Sequence, residues 1–211
     1  SPAQTALPKS AYMMRLFLFI LTPVFLFYLR VRVEGLSKLP HRGVIFAPNH
    51  QSALDGLIFA AALRRRDRIR TFFFAKDRNF ATPFRRFFAR NSNIVLLNIN
   101  RDLRETVSQM AAVVREGKNA VIFPEGARSR DGKLQSFKKS FAVISEHLKA
   151  PVVPVVIDGA FERFPIGKKF PRPGTITIRF LDPVLPDGKS FEQISDETRR
   201  SIEKGLSEGK G

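Results

Sequence analysis

Apolar and polar positions follow one another along this chain in a pattern that predicts strands separated by helices. Apolar runs of strand length occur at 31–34, 43–47, 71–74, 93–97, 119–123, 152–157 and 175–180. Stretches with helical spacing lie between or after them, at 53–63, 83–89, 103–116, 137–148 and 191–208. Because several strands are apolar throughout and alternate with helices, we expect an α/β fold with a mixed, largely parallel sheet flanked by helices.

The most apolar stretch is 16–29, which reads LFLFILTPVFLFYL between Arg15 and Arg30. As a helix it would extend about 21 Å, short of the roughly 30 Å hydrocarbon core of a bilayer, and Pro23 would kink it. A signal peptide and a buried core helix are the alternatives, but no small-x-small cleavage site follows, and the run is apolar on every face. We therefore predict a membrane-associated segment over 1–30, lying in or dipping into one leaflet, and one domain over 31–211.

The charge of the chain indicates a polyanionic partner. Lys and Arg number 36 against 19 Asp and Glu, a formal net charge of +17, and Phe numbers 21 while Trp is absent. Phe beside Arg, as at 64–74 and 85–90, suits the boundary of an anionic bilayer, although it also suits stacking on single-stranded bases. The lack of Cys excludes disulfides, thiolate metal sites and a thiol nucleophile.

Of the three histidines, His50 stands where chemistry is expected. It ends the apolar run VIFAPNH and precedes a predicted helix, whereas His41 lies in a PHRG turn and His147 lies in a polar patch of a helix. Asp55 follows five residues later, in NHQSALD. It could complete a capping box that begins at Ser52, or accept a hydrogen bond from His50 and stabilise its imidazolium, and both uses are compatible.

A second group of polar residues follows another predicted strand, in the segment FPEGARS. Gly126 would open a backbone loop that brings Glu125 and Arg128 near a phosphate, although a plain turn with a solvated Arg128 is the alternative. The segment is not a P-loop, because five residues instead of four separate its glycines and Leu134 stands where Ser or Thr is required. The chain has no GxSxG elbow and no HExxH or comparable metal set, and Arg101 in LNINR also follows a strand.

Four blocks in this order resemble those of the lysophosphatidic acid acyltransferase family of glycerolipid acyltransferases. They are NHQSALD, LNINR, FPEGARS and VVPVVI, and the similarity runs from about residue 31 to about residue 184. The resemblance implies a catalytic His50 and Asp55, a phosphate-binding Arg101, and an acceptor site at Glu125, Gly126 and Arg128. Ala127 stands where the family usually has Thr, and Ser140 where it usually has Gly.

The activity that the resemblance implies is transfer of a fatty acyl group to lysophosphatidic acid, forming phosphatidic acid. The donor would be acyl-CoA or acyl carrier protein as co-substrate, with no other cofactor, and the enzyme would sit on the cytoplasmic face of a membrane as a monotopic or peripheral protein. Membrane lipids are then the expected polyanion, and no nucleic acid partner is expected. The alternatives are another lysophospholipid acceptor such as lysophosphatidylethanolamine, or a non-catalytic basic module that binds membrane or nucleic acid.

Overall fold

The fold is a seven-stranded sheet between helices, seen in a computed structural model that describes residues 12–40, 43–97 and 103–209. The strands are β1 Val31–Glu34, β2 Ile45–Pro48, β3 Thr71–Lys76, β4 Ile94–Leu97, β5 Asn119–Val121, β6 Val152–Asp158 and β7 Ile176–Phe180. The helices are α1 Tyr12–Pro23, α2 Asp55–Ala62, α3 Arg65–Arg68, α4 Pro83–Arg90, α5 Leu103–Arg115, α6 Ser140–Leu148, α7 Ala160–Arg163 and α8 Phe191–Glu208. A π-helix, Val24–Tyr28, continues α1, and short 3₁₀ turns cover Leu36–Lys38 and Asp77–Phe80.

The strands lie in the order β1-β7-β6-β2-β5-β3-β4. All neighbours pair in parallel except β6 and β7, which pair antiparallel, so that β1 and β7 run against the other five strands. The prediction of a mixed, largely parallel sheet flanked by helices is thereby confirmed. The five strands that share one direction bring their carboxyl ends to the same edge, where ligands bind in proteins of this architecture.

Each face of the sheet has its own hydrophobic core. One face packs against α1, the π-helix and α2 through side chains that include Leu18, Phe25 and Phe59. The opposite face packs against α5, α6 and α8 through side chains that include Val113, Phe141 and Ile194. Covering both faces explains why the central strands are apolar at every position instead of alternating.

The apolar run at 16–29 forms a helix with two unlike sides. Met14, Leu18, Phe25 and Leu29 face the core, while the opposite stripe carries exposed side chains. These are Leu16 (53% exposed), Phe19 (79%), Ile20 (60%), Leu26 (57%) and Phe27 (80%). The expected disturbance at Pro23 is present as the change from α-helix to π-helix, because proline removes one backbone donor. None of the described helices combines the length and apolarity that crossing a bilayer requires.

Two expectations differ from the observed fold. The aromatic stretch at 72–74 was expected to contact a membrane, but it belongs to β3, which lies between β5 and β4, so Phe72 and Phe73 are buried. The single turns α3 and α7 were not predicted, since four residues are too few to show a helical period.

Candidate functional site

The polar residues of the site meet where the strand order reverses. From β2 the chain crosses through α2 to β3, whereas from β5 it crosses through α6 to β6, on the opposite face of the sheet. The neighbours β2 and β5 therefore continue onto opposite faces of the sheet, and the loops that follow them contact each other beyond their carboxyl ends. His50 follows β2 and Glu125 follows β5. This arrangement is the topological switch point at which open α/β sheets bind ligands.

His50 and Asp55 form a hydrogen-bonded pair. His50 Nδ1 lies 2.8 Å from Asp55 Oδ2, and the imidazole is 22% exposed while the carboxylate is fully buried. Because an ionised carboxylate only accepts hydrogen bonds, Nδ1 donates, and in the neutral ring Nε2 carries the free lone pair. Phe123 lies against the imidazole with ring centroids 4.2 Å apart at an interplanar angle of 33°. The ring is thus held from two sides with its basic nitrogen available.

The capping box expected at Ser52 and Asp55 does not form. The helix α2 begins only at Asp55, its N-cap residue is Leu54, and no side chain caps it. Asp55 Oδ2 instead accepts hydrogen bonds from the backbone N–H groups of Gln51 (2.6 Å) and Ser52 (2.8 Å), in addition to His50. The segment 51–54 bends back around the carboxylate, so the same oxygen serves the imidazole and the start of the helix.

Glu125 joins the two loops of the site. Its Oε1 accepts from the His50 backbone N–H at 2.6 Å, and its Oε2 accepts from the Gln135 N–H at 2.8 Å. The His50 carbonyl accepts in turn from the Ser129 N–H at 2.8 Å. Burial raises the pKa of Glu125, and the hydrogen bonds from Gln135 and His50 oppose that rise without cancelling it. The expected role of Glu125 in placing polar groups of the acceptor stays a prediction, and the contacts give it a second task, holding the two loops together.

The predicted loop at Gly126 is present. Gly126 has φ of 68°, a left-handed conformation that suits glycine, and a Cβ built there would lie 2.8 Å from Lys138 Cε. The Lys138 side chain therefore crosses directly over Gly126. The backbone N–H of Lys138 donates to the Pro124 carbonyl at 2.8 Å. The backbone angle favours glycine here, and a larger residue would also displace the end of the Lys138 side chain.

The sequence model of one family matches the part of the chain that holds this site. The model described as Acyltransferase covers residues 30–158, which run from β1 to the end of β6. The chain belongs to the Acyltransferase family. The resemblance stated from the four sequence blocks is therefore confirmed.

Known members of the family resemble this chain over most of its length. A 1-acyl-sn-glycerol-3-phosphate acyltransferase of Chlamydomonas reinhardtii is 29% identical over 184 residues, which are 85% of this chain and 54% of that protein. A chloroplastic 1-acyl-sn-glycerol-3-phosphate acyltransferase of Arabidopsis thaliana is 26% identical over 189 residues, 87% of this chain and 51% of that protein. The chain thus spans about half the length of these two relatives.

A solved structure of the family has a similar architecture. The crystal structure of the 1-acyl-sn-glycerophosphate (LPA) acyltransferase PlsC from Thermotoga maritima superposes with a TM-score of 0.73 at 25% sequence identity. The match covers 95% of this chain and 96% of that chain.

Unlike His50 and Asp55, Arg128 is not fixed in place by hydrogen bonds to described residues. Arg128 is exposed, and its side chain makes no hydrogen bond or ion pair with any residue in the described ranges. Arg101 lies outside the described residues. Lys138 over Gly126, and Lys76 at the carboxyl end of β3, are further cations at this edge of the acyltransferase fold that sequence reasoning did not assign.

Two positioning residues were also missed. The Asn49 side chain donates to the Ile157 carbonyl (2.9 Å) and accepts from the Ile157 N–H (2.6 Å), which extends the pairing of β2 with β6 by one residue. The Gln51 side chain donates to the Gly132 carbonyl in one loop and accepts from the Phe161 N–H in α7, both at 3.3 Å. Both flank His50 in NHQSALD, so a polar amide on either side of a strand-end histidine was the available signal.

The titratable side chains of the site do not form a metal-binding set. Across the described ranges, no three His, Asp or Glu side chains lie close enough together to hold a metal ion.

Proposed function

We propose that this chain transfers a fatty acyl group from a thioester to the free hydroxyl of lysophosphatidic acid, forming phosphatidic acid. The observation that carries the proposal is the His50–Asp55 pair, which follows the carboxyl end of β2 and leaves the lone pair of the neutral imidazole on Nε2. The relatives support this acceptor, because both are named as 1-acyl-sn-glycerol-3-phosphate acyltransferases.

The reaction follows from the hydrogen bonds of the pair. His50 Nε2 removes the proton of the lysolipid hydroxyl while the oxygen attacks the thioester carbonyl carbon. The imidazolium that forms is stabilised by the buried Asp55 carboxylate. As the tetrahedral intermediate collapses, the carbon–sulfur bond breaks and His50 returns the proton to the leaving thiolate. The products are the ester and a free thiol, and no covalent acyl-enzyme is formed.

The acceptor phosphate is assigned to the cations beside the pair. Arg128 is the exposed cation of the 123–129 loop, and Gly126 brings the backbone and Lys138 close together there. A guanidinium can bind a phosphate through two parallel hydrogen bonds, which fixes the orientation of the head group as well as its position. Arg101 is the second proposed phosphate ligand, on the strength of its block LNINR alone.

The chain is proposed to reach its lipid substrate from a membrane surface. The exposed stripe of α1 and the π-helix is apolar for its whole length, which suits insertion into the acyl boundary of one leaflet. A monotopic position would let the lysolipid arrive from the bilayer and the thioester donor from the aqueous side. We assign that side to the cytoplasm, where acyl-CoA and acyl carrier protein are found, and leave both donors open.

A panel of acceptors and donors tests the proposal. Purified protein is mixed with lysophosphatidic acid, lysophosphatidylethanolamine or other lysolipids, each with acyl-CoA and with acyl carrier protein. Thiol release and mass spectrometry of the lipids report the product. We expect phosphatidic acid as the main product and none from folded His50→Ala protein. Efficient acylation of a different lysolipid would replace the acceptor, and absence of any product from folded wild-type protein would refute the enzyme proposal.

A further inference from the structure

The loop at 164–174 exposes rings and cations together. It reads FPIGKKFPRPG and contains no acidic residue. Phe170 is 81% exposed and Ile166 is 44% exposed. Lys168, Lys169 and Arg172 are also exposed, and within the described ranges none of them has a carboxylate at ion-pair distance. An apolar ring at full exposure among unpaired cations is the composition of a lipid-contacting surface.

This loop is fixed to the end of the apolar N-terminal helix. The Tyr28 hydroxyl donates to the Pro171 carbonyl at 2.9 Å, and the Gly174 N–H donates to the Tyr28 carbonyl at 3.0 Å. Arg163 ties the base of the loop by donating from its guanidinium to the Pro173 carbonyl at 3.0 Å. Phe170 therefore lies on a loop that hydrogen bonds attach to the end of the π-helix.

A second surface with exposed rings and arginines adjoins the start of that helix. In α4, Phe84 is 70% exposed and Phe87 is 50% exposed, beside the exposed arginines Arg85, Arg86 and Arg90. The end of α4 is joined to α1, because the Met13 N–H donates to the Asn91 carbonyl at 3.1 Å. The rings of Phe17 and Phe88 also meet edge to face, with centroids 5.4 Å apart. Cations and rings thus stand at both ends of the apolar helix.

The distance between these ends limits how the helix can enter a membrane. Residues 13 and 28 are about 20 Å apart along a helix, whereas one leaflet contributes only about 15 Å of hydrocarbon. A helix entering end-on would carry either the loop or α4 into the hydrocarbon, where lysine and arginine are strongly disfavoured. A helix lying flat leaves both sets of cations among the head groups.

We propose that the loop at 164–174 binds the head groups of an anionic phospholipid bilayer and, together with α4, holds the apolar helix parallel to the membrane plane. The proposal deepens the membrane attachment proposed above and rests on it. It makes the loop a lipid-binding element in its own right, on the opposite end of the helix from α4.

The absence of Trp from the chain allows single-tryptophan measurements of depth. Phe170→Trp, Phe84→Trp and Phe19→Trp are compared in vesicles of phosphatidylglycerol and phosphatidylcholine whose acyl chains carry bromine at a shallow or a deep position. Leu185→Trp is the control, because Leu185 is 54% exposed and Val184 beside it packs on the opposite face of the sheet. We expect positions 170 and 84 to be quenched alike by shallow bromine, position 19 to be quenched more deeply, and position 185 not to be quenched.

Two results would overturn the proposal. If Phe170→Trp is quenched no more than Leu185→Trp, the loop does not touch lipid. If positions 170 and 84 differ in depth by the length of the helix, the helix does not lie flat.

Removing cations from the loop or from elsewhere distinguishes a specific effect of the loop from an effect of the net charge of the chain. Lys168→Gln/Lys169→Gln/Arg172→Gln is compared with Arg115→Gln/Arg200→Gln/Lys204→Gln, whose residues are exposed on α5 and α8. We expect the loop variant to bind anionic vesicles about 10²-fold more weakly, from about fivefold for each cation, and the control variant to change by less than about threefold. Equal losses in both variants would show an effect of net charge alone and refute a specific surface.

One further measurement distinguishes lipid from nucleic acid as the ligand of the loop, and another tests the proposed acyl transfer independently of membrane binding. If the loop variant loses affinity for a single-stranded oligonucleotide and keeps its affinity for vesicles, the surface binds nucleic acid and the lipid proposal fails. Acyl transfer to a lysolipid dispersed below its micelle concentration should be unchanged in the loop variant. If wild-type protein shows no transfer in that assay, the enzyme proposal fails, while the depth and affinity results still decide this one.

Discussion

The two halves of the site differ in how far the protein itself holds them in place. Around His50, the backbone N–H, the backbone carbonyl and Nδ1 all have partners within the chain, which are Glu125, Ser129 and Asp55. Arg128, five residues along the neighbouring loop from Phe123, is exposed and has no partner among the described residues. The contrast teaches that the proposed base is positioned before substrate arrives, whereas the proposed phosphate ligand is left for the substrate to order.

The largest effect should come from the prepared half. His50→Ala removes the proposed general base, which is commonly worth about 10²–10⁴ in rate, so turnover should fall by that factor while the melting temperature changes little. Initial rates of thiol release and thermal melts measure both. His147→Ala is the matched control, since His147 is exposed on α6. Near-normal turnover by folded His50→Ala would remove the proposed mechanism.

Asp55→Asn should have the next largest effect. The amide oxygen can still accept at the position of Oδ2, but the charge that stabilises the imidazolium is lost, so we expect kcat to fall about 10²-fold or more. The melting temperature should fall by several degrees. Asp55 Oδ2 accepts three hydrogen bonds, and each becomes weaker when the oxygen no longer carries a charge. Asp187→Asn, an exposed aspartate in the loop before α8, is the control. A loss of stability with normal kcat would mean that Asp55 only organises the turn.

Arg128→Gln tests the half that the protein leaves free. If Arg128 binds the phosphate, KM for the lysolipid should rise about tenfold, with a much smaller change in kcat and in KM for the thioester. Stability should not change, because the side chain has no partner to lose among the described residues. Steady-state kinetics with each substrate varied in turn make the comparison, and Arg115→Gln serves as control. Equal increases in both KM values would move the phosphate site elsewhere.

The smallest effect concerns the link between the halves. Since burial raises the pKa of Glu125, its contribution to the free energy of unfolding is greatest below the ordinary glutamate pKa and declines as the pH rises through the folded-state pKa. Glu125→Gln removes this decline. An amide nitrogen then meets one backbone N–H, so the substitution should cost about 1–3 kcal/mol at the low-pH end of the range. Urea unfolding from about pH 4 to pH 7 measures both variants. The wild-type advantage should shrink as the pH rises, and an advantage that grows would contradict the burial argument.

Much of the fold could be predicted because its signals are local. β1 and α8 have the predicted bounds, and at α8 the capping box of Ser190 and Gln193 is formed. The similar pattern at Ser52 and Asp55 forms only half of such a box. Asp55 accepts from the Ser52 N–H, but the Ser52 hydroxyl accepts from the Leu54 N–H and caps no helix, while Asp55 also binds His50 and the Gln51 N–H. The same four-residue pattern therefore has two outcomes, and only the tertiary neighbours decide between them.

The parts of the site that could not be predicted depend on strand order. Placing β3 between β5 and β4 buries Phe72 and Phe73, which the sequence alone presents as surface aromatics. The same order puts Lys76 at the edge of the sheet where His50 and Glu125 lie. It also lets the Gln135 N–H donate to Glu125, which precedes it by ten residues. The spacing allowed a contact between His50 and Asp55 and the family resemblance favoured it, whereas contacts between loops follow from which strands become neighbours.

The pairing of β1 has a consequence for the order of events during synthesis. Among the described strands it pairs with β7 alone, with Val31 opposite Ile176, so the ribosome must make most of the chain before this ladder can close. At 5–20 residues per second that delay is roughly seven to thirty seconds, and the apolar helix that precedes β1 is translated before it begins. During that interval the nascent chain exposes its most apolar segment before the pairing of β1 with β7 has formed. Early contact with a lipid surface would shield that segment from aggregation, so we expect the yield of soluble, folded protein in cell-free translation to rise when vesicles are present from the start.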